Sequence, residues 1–211
     1  MTASFPAVAL DAEPRVSARR AEVLAIAKER IARAGYASTS TRDIAEACGL
    51  LPGSLYSHFR SKGEILQLVL TPFLEQLLAA QHAAVDDAGT GAGRVEAMIR
   101  RVLVLCAANP AERTILHYDW PCLAAAAELE SLVALGNTSL DVWRDAIAGG
   151  VADGSLRASV DPELATRVVT SSIHGVLDRH RYDSRPDLAQ EPGVDTLADA
   201  LVAQLLEGLR P

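Results

Sequence analysis

The sequence predicts an all-α protein, on three observations. The 211 residues are 49% hydrophobic but only 4% aromatic, and the apolar content is mainly Ala, Leu and Val. That composition packs helices better than it fills a sheet. Apolar residues recur at spacings of three and four, with no sustained alternation. The stretches between them carry helix punctuation: Ser, Thr or Asp before a run, Gly or Pro at its end. About nine helices follow. They divide into an arm at 1–15, a three-helix domain at 16–62, and a larger helical domain at 63–211.

Residues 1–15 hold two prolines and no period, which predicts a flexible arm. If that arm is ordered, Arg15, Arg19 and Arg20 can approach a phosphate or a minor groove; the alternative, and the expected one, is a solvated tail. The first helix, 16–34, sets Val23, Leu24, Ala27 and Ile31 on one face and stops at Gly35. Thr39 and Ser40 are the candidate caps of a second helix, 41–48, whose inward face is Ile44, Ala45 and Cys48. Gly49 supplies a turn into which Leu50 packs. The third helix runs from Pro52 to Phe59, with Pro52 suited to the first helical position. Leu51 has no side-chain oxygen with which to cap it.

Ser61-Lys62-Gly63-Glu64 has the letters of a capping box and opens a long helix, 62–86. Pro72 lies inside it and predicts a kink near Thr71. An Asp/Gly-rich break at 86–93 precedes helices at 94–108 and 110–119, separated by Asn109-Pro110. A long amphipathic helix at 123–152 ends in Gly149, Gly150 and Gly154. Asp161 caps a helix at 161–181 with Pro162 at its first position. A polar loop at 183–193 leads to the last helix, 194–209.

Charge is unevenly distributed. The chain carries −7 overall, yet residues 1–62 hold nine Lys/Arg against six Asp/Glu, a net +3, and the remainder nets −10. A basic head on an acidic body suits a phosphate-binding module joined to a domain with another task. The three cysteines, Cys48, Cys106 and Cys122, are odd in number and accompany no signal-peptide pattern, so reduced thiols in a cytoplasmic protein are expected. No apolar run approaches ~18 residues without a charge, and no membrane span is expected. Nucleophile-elbow, P-loop and dinucleotide signatures are missing from the sequence. The cysteines lack zinc-site spacing. His117 and Asp119, the best metal-ligand pair to imagine with His174 and His180, stand two residues apart and point to different sides of a helix. Neither a catalytic site, a metal nor a cofactor is expected.

Residues 39–64, TSTRDIAEACGLLPGSLYSHFRSKGE, have the layout of a helix-turn-helix DNA reader. The register Gly35-Tyr36, Thr39-Ser40, Arg42-Asp43-Ile44-Ala45, Gly49, Gly53, Leu55-Tyr56, His58-Phe59, Ser61-Lys62 resembles the DNA-binding domain of the TetR family of bacterial one-component regulators. The rest of the chain is similar to that family only in helix number and length. Thr41, Leu51 and Gly63 depart from its usual apolar, polar-cap and acidic residues. The resemblance implies a homodimer that sets two recognition helices ~34–36 Å apart in successive major grooves of an inverted-repeat operator. The stretch from Gly49 to Leu77 also resembles a subgroup that controls catabolism of steroid and fatty-acid-like substrates and senses acyl-CoA thioesters. That implies a lipophilic or acyl-CoA-like effector.

Candidate residues follow. Thr39, Thr41, Tyr56, His58 and Lys62 are the candidate phosphate contacts. The Tyr56 ring either packs in the core or faces outward. Arg42, Pro52, Gly53, Ser54 and Ser57 are nearest to base edges; Gly53 allows close backbone approach. Arg42 suits a guanine fork or a surface pair with Glu46. Pro52 or Leu55 suits a thymine methyl. Met98, Tyr118, Trp120, Trp143 and His174 are the candidate lining of an effector pocket, with ordinary core packing as the alternative. Arg167, Arg179 and Arg181 suit an anionic group such as a CoA phosphate, or pairing with Asp178 or Asp183. Val169, Ile173 and Val176 with Leu197, Leu201 and Leu205 are the candidate dimer face, built as a four-helix interface; the alternative is packing within one chain. The resulting expectation is a ligand-responsive repressor released from DNA by its effector, with the Pro72 helix as a lever. The alternative is a constitutive, sequence-tolerant architectural DNA binder, against which the acidic second domain counts.

Overall fold

A computed structural model describes residues 18–178 and 193–210. The arm at 1–15, Arg179, His180, Arg181, Asp183 and most of the 183–193 loop fall outside the described residues. Within them the chain forms nine α-helices and one 3-10 turn, and no strand.

Helix α1 spans Ala18–Ala34, α2 Thr41–Ala47 and α3 Pro52–Leu55. Of the two candidate caps of α2, Ser40 takes the role: its hydroxyl accepts from the Asp43 backbone N–H while the Asp43 carboxylate accepts from the Ser40 N–H. Helix α3 is shorter than expected. Beyond Leu55 the N–H groups of Ser57 and His58 turn to the carbonyls of Ser54 and Leu55, three residues back, so the segment to Phe59 continues as tight turns. Leu51, at the cap position of α3, makes no side-chain capping bond.

Helix α4, Lys62–Asp87, runs through Pro72. Its start corrects the expected reciprocal box. The Ser61 hydroxyl accepts from the Glu64 N–H, but the Glu64 carboxylate reaches one residue further back, to the Arg60 N–H.

Helix α5 covers Gly91–Ala108, starting three residues earlier than expected, because Thr90 caps it through the Gly93 N–H. The glycines there are contact residues and not helix breakers. A Cβ on Gly91 would lie 2.1 Å from the Gly150 nitrogen, so α5 meets α7 backbone to backbone. Gly149 and Gly150 likewise lie inside α7, Glu130–Ala152, and do not end it. Helix α6 extends over Pro110–Ala124, past the expected end at 119, and Pro121 sits in its last turn. A 3-10 turn, Ala127–Leu129, then replaces the expected start of the next helix at 123. Helix α8, Pro162–Val176, has the expected Asp161 cap and Pro162 start, and α9 spans Val194–Glu207.

Three apolar clusters hold these helices together. One is the head: Val23, Ala27, Ile44, Ala45, Leu55, Phe59 and Ile65. The largest is the body, centred on α5, which packs against α4, α7, α8 and α9. The third is a joint, in which Ile31 and Tyr36 of the head meet Leu66, Leu70 and Leu74 of α4, Ile115 and Leu123 of α6, and Leu129 and Leu132. The three thiols are free, with Cys48 and Cys106 buried. Among the described residues no helix is long and apolar enough to cross a membrane.

Candidate DNA-reading surface and effector cavity

The reader exposes a small set of side chains. Pro52, Gly53, Ser57 and Arg42 lie at the surface, and Tyr56 is 58% exposed, so its ring is outward and not core. The Tyr56 and Thr41 hydroxyls lie 3.1 Å apart, which holds the ring over the start of α2. Arg42 makes the surface pair with Glu46, at 2.9 Å. The Ser57 hydroxyl donates to the Ser54 carbonyl. His58 and Ser54 are half-buried.

Two expectations need correction. Thr39 is only 1% exposed and its hydroxyl donates to the Gly35 carbonyl, so it shapes the loop before α2 and has no free donor for a phosphate. Leu55 is buried in the head core and cannot meet a thymine methyl; the exposed leucine is Leu51, at 77%. The helical period that makes Leu55 apolar also turns it inward, whereas Leu51 precedes the helix and escapes that period. Lys62 is also largely committed. Its ammonium donates to the Tyr36 and Thr39 carbonyls at 2.7 and 2.8 Å and sits 4.0 Å from the Tyr36 ring centroid.

The joint behind the reader is polar around its apolar cluster. Lys28 on α1 pairs with Glu112 on α6 at 2.8 Å, and Glu112 is 8% exposed. The Tyr36 N–H donates to Asp119 of α6 at 3.0 Å. The Tyr36 hydroxyl and the Ser61 hydroxyl both donate to the Glu128 carboxylate. Burial first, and then the negative charge and hydrogen bond of Glu128, push Tyr36 up to about 12. Gly63 makes room for this carboxylate: a Cβ there would lie 2.3 Å from the Glu128 carboxyl carbon. A larger residue at Gly63 would displace the Glu128 carboxylate from Tyr36 and Ser61.

On its other side α6 lines a cavity of about 280 Å³. Leu116, His117 and Trp120 of α6 face Phe73 and Leu77 of α4 and Trp143 of α7 across it, with Ile173 and His174 of α8. Trp120, Trp143 and His174 thus come together as expected. Met98 does not join them; it is fully buried in the body core. Tyr118 is also absent from the lining. It points to solvent and its hydroxyl donates to Asp178. On α6 it lies between His117 and Trp120 in sequence, but about 100° of rotation per residue turns it away from both. A Cβ on Gly136 would lie 2.3 Å from the Trp120 ring, so this glycine lets the indole approach α7 closely at the cavity wall.

Sequence reasoning missed His117 as a wall residue. Its ring stacks on His174, with centroids 4.5 Å apart. Burial, the neighbouring His117 and the Arg113 cation push His174 down to about 4. Desolvation and Arg113 also lower His117, against Asp178, which raises it. Both shifts favour the neutral rings, and among the described residues no charged side chain lines the cavity. Arg113, buried, donates to the His174 and Leu177 carbonyls at the end of α8. Among the described residues no three His, Cys, Asp or Glu side chains gather as a metal site. Asp119 is turned to Tyr36, away from His117, as the two-residue spacing requires.

The expected dimer face is partly turned inward. Val169, Ile173 and Leu201 are buried in the body core of their own chain. Leu197 and Leu205 are half-buried against the same core, while Val176 is exposed. The outward apolar line of α8 is Leu164, Val168 and Val176. Burial follows the α8–α9 packing within one chain, which periodicity alone does not separate from packing between two.

Comparison with known proteins agrees with this architecture. The sequence profile of bacterial regulatory proteins of the tetR family matches residues 23–69. The chain is 30% identical over 197 residues to the HTH-type transcriptional repressor KstR2 of Rhodococcus jostii strain RHA1, covering 92% of each. It superposes on the ketosteroid transcriptional regulator KstR2 of Mycobacterium tuberculosis with a TM-score of 0.78 at 25% identity, covering 93% of this chain and 97% of that one. The fold is shared with AibR, solved with isovaleryl coenzyme A and operator DNA, with a TM-score of 0.73 at 21% identity over 89% of this chain and 98% of that one.

Proposed function

The chain belongs to the TetR family of bacterial regulatory proteins, and from that premise we propose how this transcriptional regulator works. It is a helix-turn-helix repressor and not an enzyme; it binds operator DNA and answers to a small-molecule effector. The DNA-binding unit spans 16–62 and the effector-binding and dimerisation unit 63–211. Two copies pair through α8 and α9, with Leu164, Val168 and Val176 joining Leu197 and Leu205 at the interface, and grip an inverted repeat. Tyr56, Thr41, His58 and the third donor of Lys62 meet phosphates. Pro52, Gly53, Ser54, Ser57 and Arg42 lie against the bases once Arg42 leaves Glu46. The protein acts in the cytoplasm.

The observation that carries the reading is the double duty of α6. One side of it lines the cavity with Leu116, His117 and Trp120, while Glu112 and Asp119 hold the head through Lys28 and Tyr36. An effector that spreads the cavity must move α6, and with it the head. Release requires only that the effector bind the misspaced form more tightly than the DNA-bound form. Helix α4 offers a second route, since Phe73 and Leu77 follow Pro72 directly into the cavity wall.

The cavity chemistry favours a lipophilic effector body. Aromatic and aliphatic walls, two neutral histidines and three hydroxyl side chains suit an uncharged ring or acyl group with a hydrogen-bonding oxygen. The ketosteroid regulator among the relatives supports a ring system. Any coenzyme A portion must stay outside these walls, where His117 and Leu140 are exposed.

Selection of bound duplexes from a random pool tests the reading. Enrichment of an inverted repeat bound by a dimer is expected. A steep salt dependence with no sequence enriched would instead favour an architectural binder.

A further inference from the structure

We propose that Leu51 is a specificity residue of the reader and that it packs on the C5-methyl of a thymine in each operator half-site. The inference rests on the DNA-reading function above and adds to it the identity of one read base. Leu51 is the most exposed of the large apolar side chains among the described residues. It stands at the cap position of α3, with extended backbone, where an oxygen-bearing residue would bond the helix start; its own side chain makes no such bond. Pro52 and Gly53 beside it are exposed, and a Cβ on Gly53 would meet nothing within 4 Å. Among the described residues nothing crowds Gly53 beside the leucine, so a partner surface can close on this face.

The surroundings decide what that partner is. Thr41 and Tyr56 carry paired hydroxyls, Arg42 an exposed guanidinium, and Ser57 another hydroxyl. A protein partner that buried Leu51 in an apolar patch would have to cover these groups unmatched. A duplex matches them with phosphates and base edges. The first residues of a recognition helix are those that reach base edges, and the major groove offers one apolar group, the thymine methyl. Leu55 is buried, and of the two apolar side chains exposed here, Leu51 and Pro52, the leucine is the longer and is 77% exposed.

The test separates the methyl from the rest of the base. The operator is selected from random sequence with the full-length protein, then made twice, with thymine throughout and with deoxyuridine throughout. Deoxyuridine keeps every base pair and loses only the methyl. The intact protein should bind the thymine duplex about tenfold tighter, from one methyl buried per half-site. Leu51→Ala should bind both duplexes equally, near the affinity of the intact protein for the deoxyuridine duplex. Because Leu51 is exposed, the variant should melt at the temperature of the parent. Equal binding of both duplexes by the intact protein would overturn the proposal. So would undiminished discrimination by Leu51→Ala; its loss in Pro52→Ala would then assign the methyl to Pro52. Failure to enrich any sequence would remove the DNA-reading function itself, a separate result.

Discussion

The body and the reader are built to opposite tolerances. In the body, α5 and α7 touch backbone to backbone at Gly91 and Gly150, and further along the same helices is a cavity whose walls, among the described residues, carry no charge. In the reader, a Cβ at Gly53 meets none of the described residues within 4 Å, and the surface is hydroxyls, a guanidinium, Pro52 and the bare Leu51. Between them the joint surrounds its apolar cluster with directional polar contacts: Lys28 with Glu112, Tyr36 with Asp119, and Tyr36 and Ser61 with Glu128. Apolar packing deforms reluctantly, because close-packed interiors transmit strain. Hydrogen-bonded pairs can exchange one discrete arrangement for another. The difference suits a switch in which a stiff body carries an effector's push to a head that reseats as a unit.

The sharpest way to break the comparison is to add the same methyl to both regions. Gly91→Ala places a Cβ 2.1 Å from the Gly150 nitrogen, and backbone cannot rotate aside. A loss of about 3 kcal/mol is expected in urea unfolding, at the upper end of overpacking costs. Gly53→Ala should leave stability unchanged or raise it by up to ~1 kcal/mol, since alanine favours the helix. It should nevertheless weaken operator binding by blocking close approach to DNA.

Acid should probe the cavity side. His174 is held at about 4 in the folded protein, below its ordinary value of 6.5. The unfolded chain therefore takes up a proton first as pH falls. Stability present above pH 6.5 should decline between pH 6.5 and 4, by roughly 3 kcal/mol in all from this residue. His174→Asn should flatten that slope in unfolding measured across pH.

A smaller effect is expected at the joint. Lys28→Ala leaves Glu112 buried without its cation partner among the described residues. Removing one partner of a buried pair costs 3–5 kcal/mol, but Lys28 is partly solvated, so about 2 kcal/mol is expected. The diagnostic is coupling. Lys28→Ala should change the ratio of operator affinity with and without effector more than it changes effector affinity, read by anisotropy and by calorimetry.

The fold was largely legible, and the limits have physical causes. Ser40, Asp161 and Pro162 mark helix starts through local hydrogen bonding, which sequence carries directly. Glycine was ambiguous: Gly154 lies just past the end of α7, while Gly91 and Gly150 are needed where helices touch, a fact set by partners distant in sequence. Trp120, Trp143 and His174 reach the cavity from three helices, but Met98 and Tyr118 share their residue types and point elsewhere. Facing is decided by rotation about each helix axis once tertiary packing is set. For the same reason Val169, Ile173 and Leu201 read equally well as interface or core, and α8–α9 packing turned them inward.

The central claim is that occupancy of this cavity releases the reader from DNA. The most direct measurement is fluorescence anisotropy of a labelled, selected operator, titrated with a steroid-ring carboxylic acid and its CoA thioester. Free coenzyme A serves as control. The intact protein should release the operator on addition of the acid or its thioester and not of the control. Leu140→Trp, which fills the cavity mouth from an exposed position, should bind the operator normally and resist release by tenfold or more. Release of Leu140→Trp at the same concentration as the intact protein would contradict the account.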